Sequence, residues 1–510
     1  MIETSLEAVW TRYRRAKERR RRWESLWRDC YTYALPYRGS GLGEQFAPAQ
    51  RHAERLFDGT AMDGVDQLAA GLLAELTPPW SQWFALVPGT DLDPATSGGV
   101  NELLEGVSRT IRAHFDRSNF AMEMHQALLD LATVGTATLL FEEAPVGQAS
   151  AFRFNAVPMA EMAVEEGPSG RLECYFRRSV MGYEALVARF PAAQLPPTAQ
   201  EHAGARQEQR FGVIEAVLPS DGGFAYLAFL DEEIDGRGGP TPLAAGCFET
   251  SPFVGFRWLK GAGEVYGRSP VMTALPDIKT ANKVVELILK NASIAVTGIW
   301  QADDDGVINP ATIRLVPGAI IPKAVGSAGL TPLQAPGRFD VSQLVIDDLR
   351  ARIRHALLVD RLGPVNGPRM TATEVLERSA EAGRVLGATY GRLQTELLTP
   401  LLGRAMAILR RRGEIPNLVL DGRTVDLRYT SPLARAQARG DVQNTLVWLE
   451  AVERMGPEAV GTVDLPATAR WLGQALGVPG ELIREPQPAA ALLDALAPLL
   501  GAAGEGGRDD

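Results

Sequence analysis

Lys279, Lys283, Glu286 and Lys290 stand at offsets that a helix would gather into one stripe. At 100° per residue they fall within about 60° of one another. Three ammonium groups around one carboxylate make a narrow cationic surface. Its chemistry is reversible ionic contact with a polyanion, because a lysine head is a mobile point charge without the bidentate grip of a guanidinium. The stripe stands out because only six lysines occur among 52 basic residues. A second charged group is the acidic turn Asp303, Asp304 and Asp305, close to Trp300. Aligned as a calcium loop, it places Gln301 at the first anchoring position and Thr312 at the last, so both anchoring ligands are missing.

The remaining motifs fail one by one. His52, His114, His125, His202 and His355 form no HExxH or related pattern, and each is expected at the surface or in packing. Gly261, Gly263 and Gly267 approach a dinucleotide loop, but the third glycine is one position late and no strand–loop–helix order surrounds it. Gly267-Arg-Ser269-Pro-Val271 lacks the second glycine of a nucleophile elbow. No GxxxxGK[ST] phosphate loop is present. Cys30, Cys174 and Cys247 lie far apart without CxxC spacing, which suggests neither a disulfide framework nor a zinc site. The chain is read as a non-enzyme with no cofactor and no metal.

Composition narrows the classes further. The 510 residues are 45% apolar, and about 150 residues per domain gives a prior of about three domains. The formal charge is −10, whereas a chain that grips phosphates over a wide surface is normally basic, so any DNA contact must be local. No apolar run reaches the ~18 residues needed to span a bilayer. The first residues lack the apolar core of a signal peptide, so a soluble, intracellular product is expected.

The elements that must position these residues follow from periodicity. Residues 1–35 predict a helix with Trp10, Tyr13, Trp23, Leu26, Trp27 and Cys30 on its apolar side. Its basic stretch from Arg12 to Arg22 is either a solvated face on a helix packed through its tryptophans or a contact for DNA or an acidic partner. Helical spacing covers Asp58–Leu76, Val100–Phe115 and Met122–Thr133, with Trp80, Trp83 and Phe84 as an aromatic knot. A strand is expected at Thr136–Phe141. Five more follow at Phe152–Val157, Cys174–Val180, Val213–Leu218, Phe224–Leu230 and Phe253–Leu259, with a surface loop or insertion at Pro191–Ala205.

Residues 276–296 then read as one amphipathic helix, with Ile278, Ala281, Val285, Ile288 and Ala292 sharing a face. Asp340–Val359 reads as a second, with Val341, Val345, Leu349, Ile353 and Leu357 at spacing four. Between them Thr297–Pro336 is a small strand-and-turn module, so the pair forms a stalk with a head. A capping box at Thr371–Glu374 opens a long helix to about Arg412, kinked at Pro400. Gly383, Gly387 and Gly391 along it predict a ridge on which another backbone can lie close. Short strands are expected at Leu418–Leu420 and Val425–Tyr429, and helices beyond, up to a Gly-rich acidic end that is expected to be disordered.

Several stretches, in this order, resemble the head-to-tail connector, or portal, family of short-tailed bacteriophages. They are Ala34-Leu-Pro36; Asp58-Gly-Thr-Ala61 with Leu68-Ala-Ala-Gly-Leu-Leu73, Leu76-Thr-Pro-Pro79 and Trp83-Phe84; Val265-Tyr-Gly-Arg-Ser-Pro270 with Leu275-Pro-Asp-Ile-Lys279 and Asn282; Met370-Thr-Ala-Thr-Glu-Val375; and Ser431-Pro-Leu-Ala-Arg-Ala-Gln437. The resemblance covers about residues 1–440.

It implies an α+β portal-type subunit with a mixed α/β wing, a two-helix stem, a small α/β clip, a long kinked wing helix and a helical C-terminal crown. Carried onto this chain, residues 1–275 form the wing, 276–296 and 340–360 the stem helices, and 297–339 the clip. Residues 361–370 become the channel loop, 371–440 the long helix and return to the wing, 441–500 the crown and 501–510 a disordered tail.

The family's function implies a ring, usually of twelve subunits, at one capsid vertex of the virion, assembled in the host cytoplasm with no stable membrane insertion. Double-stranded DNA passes through it during packaging and ejection. Partners would be the terminase, the major capsid and scaffold proteins, and a tail adaptor. Lys279, Lys283 and Lys290, with Arg361 and Arg369 flanking the channel loop, are the candidates for brushing DNA. The lysines have alternatives: a stem face turned outward, or pairing with Glu286 or a neighbour's Asp347 or Asp348. Trp300 and Asp303–Asp305 are the candidates for terminase or tail docking, Trp300 being either an anchor or an interior side chain. The other reading is an accessory ring or scaffold protein that binds partners without threading DNA.

Overall fold

The computed structural model describes residues 5–38, 56–89, 97–193, 210–231, 240–297, 300–302, 325, 330–332, 339–359, 387, 389–418, 420, 422–423, 425–430 and 432–476. Ser5 opens the first helix, α1 (Leu6–Ala34), by accepting a hydrogen bond from the Ala8 amide at 3.3 Å, which satisfies a first-turn N–H that has no partner within the helix. The helix is a strap between two cores. Val9, Tyr13 and Ala16 pack with Phe176, Ile214 and Phe229, while Trp27, Cys30, Tyr31 and Ala34 enter the main core. Part of its basic stretch is used inside the molecule: Arg12 pairs with Glu165 at 2.9 Å, and Arg20 donates to the carbonyls of Ala160 and Met162. Arg14, Arg15, Arg19, Arg21 and Arg22 are exposed on a solvated face.

Next come α2 (Thr60–Leu76), β1 (Phe84–Pro88), α3 (Ser97–Arg117) and α4 (Phe120–Val134). The expected aromatic knot forms only in part. Trp83 and Phe84 are buried, Trp83 stacking on Phe120 at 6.4 Å, but Trp80 is 70% exposed. Phe115, Phe141, Phe152 and Phe154 complete the aromatic core instead.

The β-rich part contains two sheets. β2 (Thr136–Glu143) lies between β3 (Phe152–Val157) and β9 (Phe253–Arg257) in a three-stranded antiparallel sheet. The other is a five-stranded meander of β4 (Met162–Glu166), β5 (Leu172–Gly182), β6 (Arg210–Ser220), β7 (Gly223–Leu230) and β8 (Pro242–Phe248), with the short helix α5 (Tyr183–Arg189) leaving β5. Sequence reading omits β1, β4, β8 and α5. The expected insertion at Pro191–Ala205 lies mostly outside the described residues.

The stalk is two helices side by side, α6 (Pro270–Thr297) and α7 (Phe339–Ala356). The first begins six residues earlier than periodicity suggests. Ser269 Oγ accepts from the Met272 amide at 2.9 Å and Pro270 fills the first helical position, where its fixed φ and missing N–H cost nothing. Pro276, which reads as a start, lies inside the helix. On α7 the buried residues are Ile346, Leu349, Ile353 and, just beyond the helix, Leu357, whereas Val345 is exposed. The apolar face is thus turned by one residue from the spacing-four reading at this end. At the far end β10 (Trp300–Ala302) pairs antiparallel with β11 (Leu330–Pro332), joining Trp300 to Pro332.

The long helix after residue 371 is described only from its later part. A π-helical turn, Gln394–Leu398, precedes α8 (Thr399–Arg411), with the Thr399 amide donating to Gln394 O. The break expected at Pro400 is therefore a π-turn ending two residues before the proline. Around Gly387 and Gly391 a Cβ would meet nothing within 4 Å, so no backbone approaches the glycine ridge at these two positions among the described residues. Finally β12 (Val425–Tyr429) returns to pair with β1, Tyr429 against Phe84. Three helices follow: α9 (Pro432–Met455), α10 (Pro457–Val460) and α11 (Leu465–Leu476). Helix α9 runs unbroken across residues 440 and 441, the expected boundary between the return to the wing and the crown. The Ala/Leu stretch after residue 488 and the acidic end lie outside the described residues.

Candidate functional site

The site to be tested is the stalk and the fittings at its root. The root is built from backbone approaches that only small residues permit. Gly135 has φ +75°, and a Cβ on it would come within 2.5 Å of Gly267 O. A Cβ on Gly267 would lie 2.1 Å from Gly135 O. Two glycines on unrelated segments thus let the end of α4 touch the entrance to α6. Hydrogen bonds fix the contact: the Gly267 amide donates to Thr136 Oγ1 at 2.8 Å, and Ser269 Oγ donates to Thr133 O at 2.8 Å. Tyr266, fully buried, stands edge-on to Trp27 at 5.0 Å.

A second fitting joins both stalk helices to α2. Asn282 Oδ1 accepts from the amides of Phe57 at 2.6 Å and Asp58 at 3.2 Å. Asp58 in turn accepts from the Thr60 amide at 3.0 Å and from Arg350 Nε at 2.9 Å. Burial opposes the charge on Asp58, but the hydrogen bonds from Thr60 and Arg350 outweigh it and hold the carboxyl below its ordinary range. Gly64 gives Leu357 its seat, since a Cβ there would be 2.6 Å from Leu357 Cδ1. A third fitting ties the sheet to the π-turn. Arg257, with no exposed surface, donates to Glu396 at 2.7 and 3.2 Å and to the carbonyls of Val265 and Gly170.

The lysine stripe forms on α6 and is already partnered. Lys279 donates to Asp29 of α1 at 2.6 Å, with its ammonium 5.8 Å above the Tyr33 ring. Lys283 and Lys290 reach the same Glu286, at 2.9 and 2.6 Å. The hydrogen bonds from Lys290 and Lys283 keep the Glu286 carboxyl below its usual range. Three ammonium groups therefore face two carboxylates, leaving one net positive charge. Sequence reading placed Glu286 within the stripe and named it as a possible partner, but it missed Asp29. That residue is 250 positions away along the chain and carries no spacing signal. Trp300 is the first residue of β10. Asp303, Asp304, Asp305, Arg361 and Arg369 lie outside the described residues.

Elsewhere a cavity of about 360 Å³ lies between β5, β9 and the π-turn, lined by Tyr175, Phe253, Glu396, Gly403 and Arg404 among others. Its buried charged walls are engaged: Glu396 with Arg257, and Arg404 with the carbonyls of Phe141 and Thr250. Burial pushes the Arg404 guanidinium down to about 10. Cys30 and Cys174 are buried and their thiols are pushed up by burial, to about 12 and about 11; Cys247 is exposed. Among the described residues no three His, Cys, Asp or Glu side chains are grouped to hold a metal ion. No described helix is long and apolar enough to cross a membrane.

With this geometry in place, comparison with known proteins is informative. Residues 6–483 match the family described as bacteriophage head to tail connecting protein. The "Probable portal protein" of Bordetella phage BPP-1 is 26% identical over 506 residues, covering 94% of this chain and 89% of that protein. The "Portal protein" of Salmonella phage epsilon15 is 24% identical, covering 94% and 88%. That of Escherichia phage T7 is 23% identical over 419 residues, covering 80% and 75%. Among solved structures, a chain in the virion of a native gene transfer agent particle aligns over 81% of this chain and 89% of its own, with a TM-score of 0.35 and 14% identity. The match spans the strap, both sheets, the stalk and its fittings, so this chain belongs to the family of bacteriophage head-to-tail connecting proteins, and its role is the structural one of a phage portal.

Proposed function

We propose that twelve copies of this chain close into a ring at one vertex of the capsid and that double-stranded DNA passes through the bore during packaging and ejection. The observation that carries this reading is the family match across residues 6–483. The stalk supports it. Two long helices are anchored at one end by the Asp58, Asn282 and Gly135–Gly267 fittings and bear a small β pair at the other, an arrangement suited to projecting a tip away from a body. In this reading α6 and α7 are the stem, residues 297–339 the clip, and the body the wing. The C-terminal helices form the crown. The tip, with Trp300 and Asp303–Asp305, meets the terminase during packaging and the tail adaptor afterwards, while the body meets capsid and scaffold proteins. Assembly takes place in the host cytoplasm.

A bore must attract DNA without holding it, since affinity climbs steeply with each phosphate neutralised. The stem lysines fit that need because carboxylates damp them, and Arg361 and Arg369 on the channel loop are the other cations in reach of the duplex. Electron microscopy and mass measurement on the purified chain test the ring. The expected result is closed rings with a central hole of about 20–40 Å, wide enough for a duplex whose major groove alone is about 12 Å. Monomers at every concentration, with and without scaffold protein, overturn it.

A further inference from the structure

Among the described residues of a single stalk, a cation of the α6 stripe and a carboxylate of α7 lack separate ion-pair partners, on opposite helices and opposite faces. On α6, Lys283 and Lys290 compete for Glu286. The Glu286–Lys290 pair has the better order, glutamate four residues before lysine, so Lys283 is the surplus cation. Beside it Leu287 is 50% exposed, and it sits on the side of α6 opposite buried Ile278, about 180° away at 100° per residue. On α7, Asp348 is exposed and has no ion pair among the described residues, while Leu344, one turn earlier, is 75% exposed. Both lie about 160–200° from buried Ile346. They therefore point away from α6 of their own subunit and cannot meet its lysines.

We infer that these two faces belong together between neighbouring copies of this chain. Leu287 of one subunit packs on Leu344 of the next, and Lys283 releases Glu286 to pair with the neighbour's Asp348. This inference rests on the ring reading above and deepens it. The two patches differ, one apolar with positive charge and the other apolar with negative charge, so the contact is head-to-tail. Such a contact generates a closed ring when its rotation closes, and it does not stop at a pair. Of the stem lysines, Lys283 then serves the seam between subunits, leaving Lys279 and Lys290 with their carboxylates for the bore. Charge complementarity sets the register, since a like-charge juxtaposition across the seam would oppose it.

The test uses the full chain. Lys283→Glu and Asp348→Lys are each expected to lower the ring fraction at fixed concentration by about tenfold, and the double variant to return it to within about twofold of the unaltered chain. Independently, Leu287→Cys with Leu344→Cys in a Cys247→Ser background is expected to give a ladder of cross-linked multimers on mild oxidation, with neither single variant producing one. Single reversals that leave the ring fraction unchanged, a double variant no better than either single, or an absent ladder from a chain that still forms rings would each overturn the seam and leave the ring reading standing. An unaltered chain that forms no rings overturns both.

Discussion

At the scale of single residues, the stem root depends on side chains that serve several elements at once. Asp58 is 5% exposed and receives hydrogen bonds from the Thr60 amide and the Arg350 guanidinium. Asp58→Ala removes both and leaves Arg350 without its carboxylate, so a loss of about 2–3 kcal/mol in denaturant unfolding is expected. Its pH dependence has a definite sign. The folded carboxyl titrates below its ordinary value, so its contribution is complete above the unfolded value of about 3.9 and is lost as pH falls through the lower folded one. Thermal midpoints measured from pH 6 to 3 are therefore expected to drop more steeply for the native chain than for Asp58→Asn. The cysteines give a second residue-scale expectation. Burial raises the Cys30 and Cys174 thiols to about 12 and about 11, which removes the reactive thiolate at neutral pH. A maleimide reagent at neutral pH is expected to label Cys247 alone in the folded subunit, as read by peptide mass spectrometry, and all three cysteines after unfolding.

At the scale of elements, the buried Arg257–Glu396 pair decides how the π-turn is held to the sheet. Arg257→Met leaves the buried Glu396 carboxylate only Arg392, at 3.2 Å, and a loss of about 3 kcal/mol is expected, whereas Arg257→Met with Glu396→Leu should recover most of it. Calorimetric or denaturant unfolding of the two variants side by side checks this. The same elements show what a sequence discloses. Helices with a strong apolar period were legible, α1, α2 and α6 among them, because burial on one side imprints a spacing. The start of α6 was misread because Pro276 looks like a first-turn proline, while the pair that caps the helix is Ser269-Pro270. Strand β4, Met162–Glu166, escaped because four of its five residues are buried, Glu165 included. It shows no alternation, and Glu165 is neutralised by Arg12 from α1, a partner with no sequence proximity. The pairing of β1 with β12 was unreadable for the same reason: either strand is short, and what stabilises each is the other. The site divides likewise. Spacing found the lysine stripe, but Asp29 and the Gly135–Gly267 contact exist only once the chain has folded back on itself.

At the scale of the whole molecule, the decisive quantity is the sign of the charge that the stem offers to DNA. The chain carries −10 overall, and the arginines of α1 that bond Glu165 and backbone carbonyls are spent inside the subunit. The isolated protein is therefore expected to bind duplex DNA weakly, and steeply less so with salt. Inside a ring the balance is local. With Lys283 matched by the neighbour's Asp348 at the seam, Lys279 and Lys290 against Asp29 and Glu286 leave the collar neutral. Replacing Lys279 and Lys290 by alanine keeps Lys283 for the seam but bares both carboxylates, giving the collar two negative charges per subunit. Repeated round the ring, the change converts a neutral collar into a repulsive one, and low-dielectric walls focus such fields. In an in vitro packaging assay the Lys279→Ala/Lys290→Ala portal is expected to form normal rings yet package about tenfold less DNA, the deficit shrinking as salt screens the collar. Adding Asp29→Asn and Glu286→Gln restores the original net charge without restoring a single lysine. Recovery of packaging in that quadruple variant would show that the bore works through net charge. Continued failure would mean that the lysine heads themselves touch the phosphates.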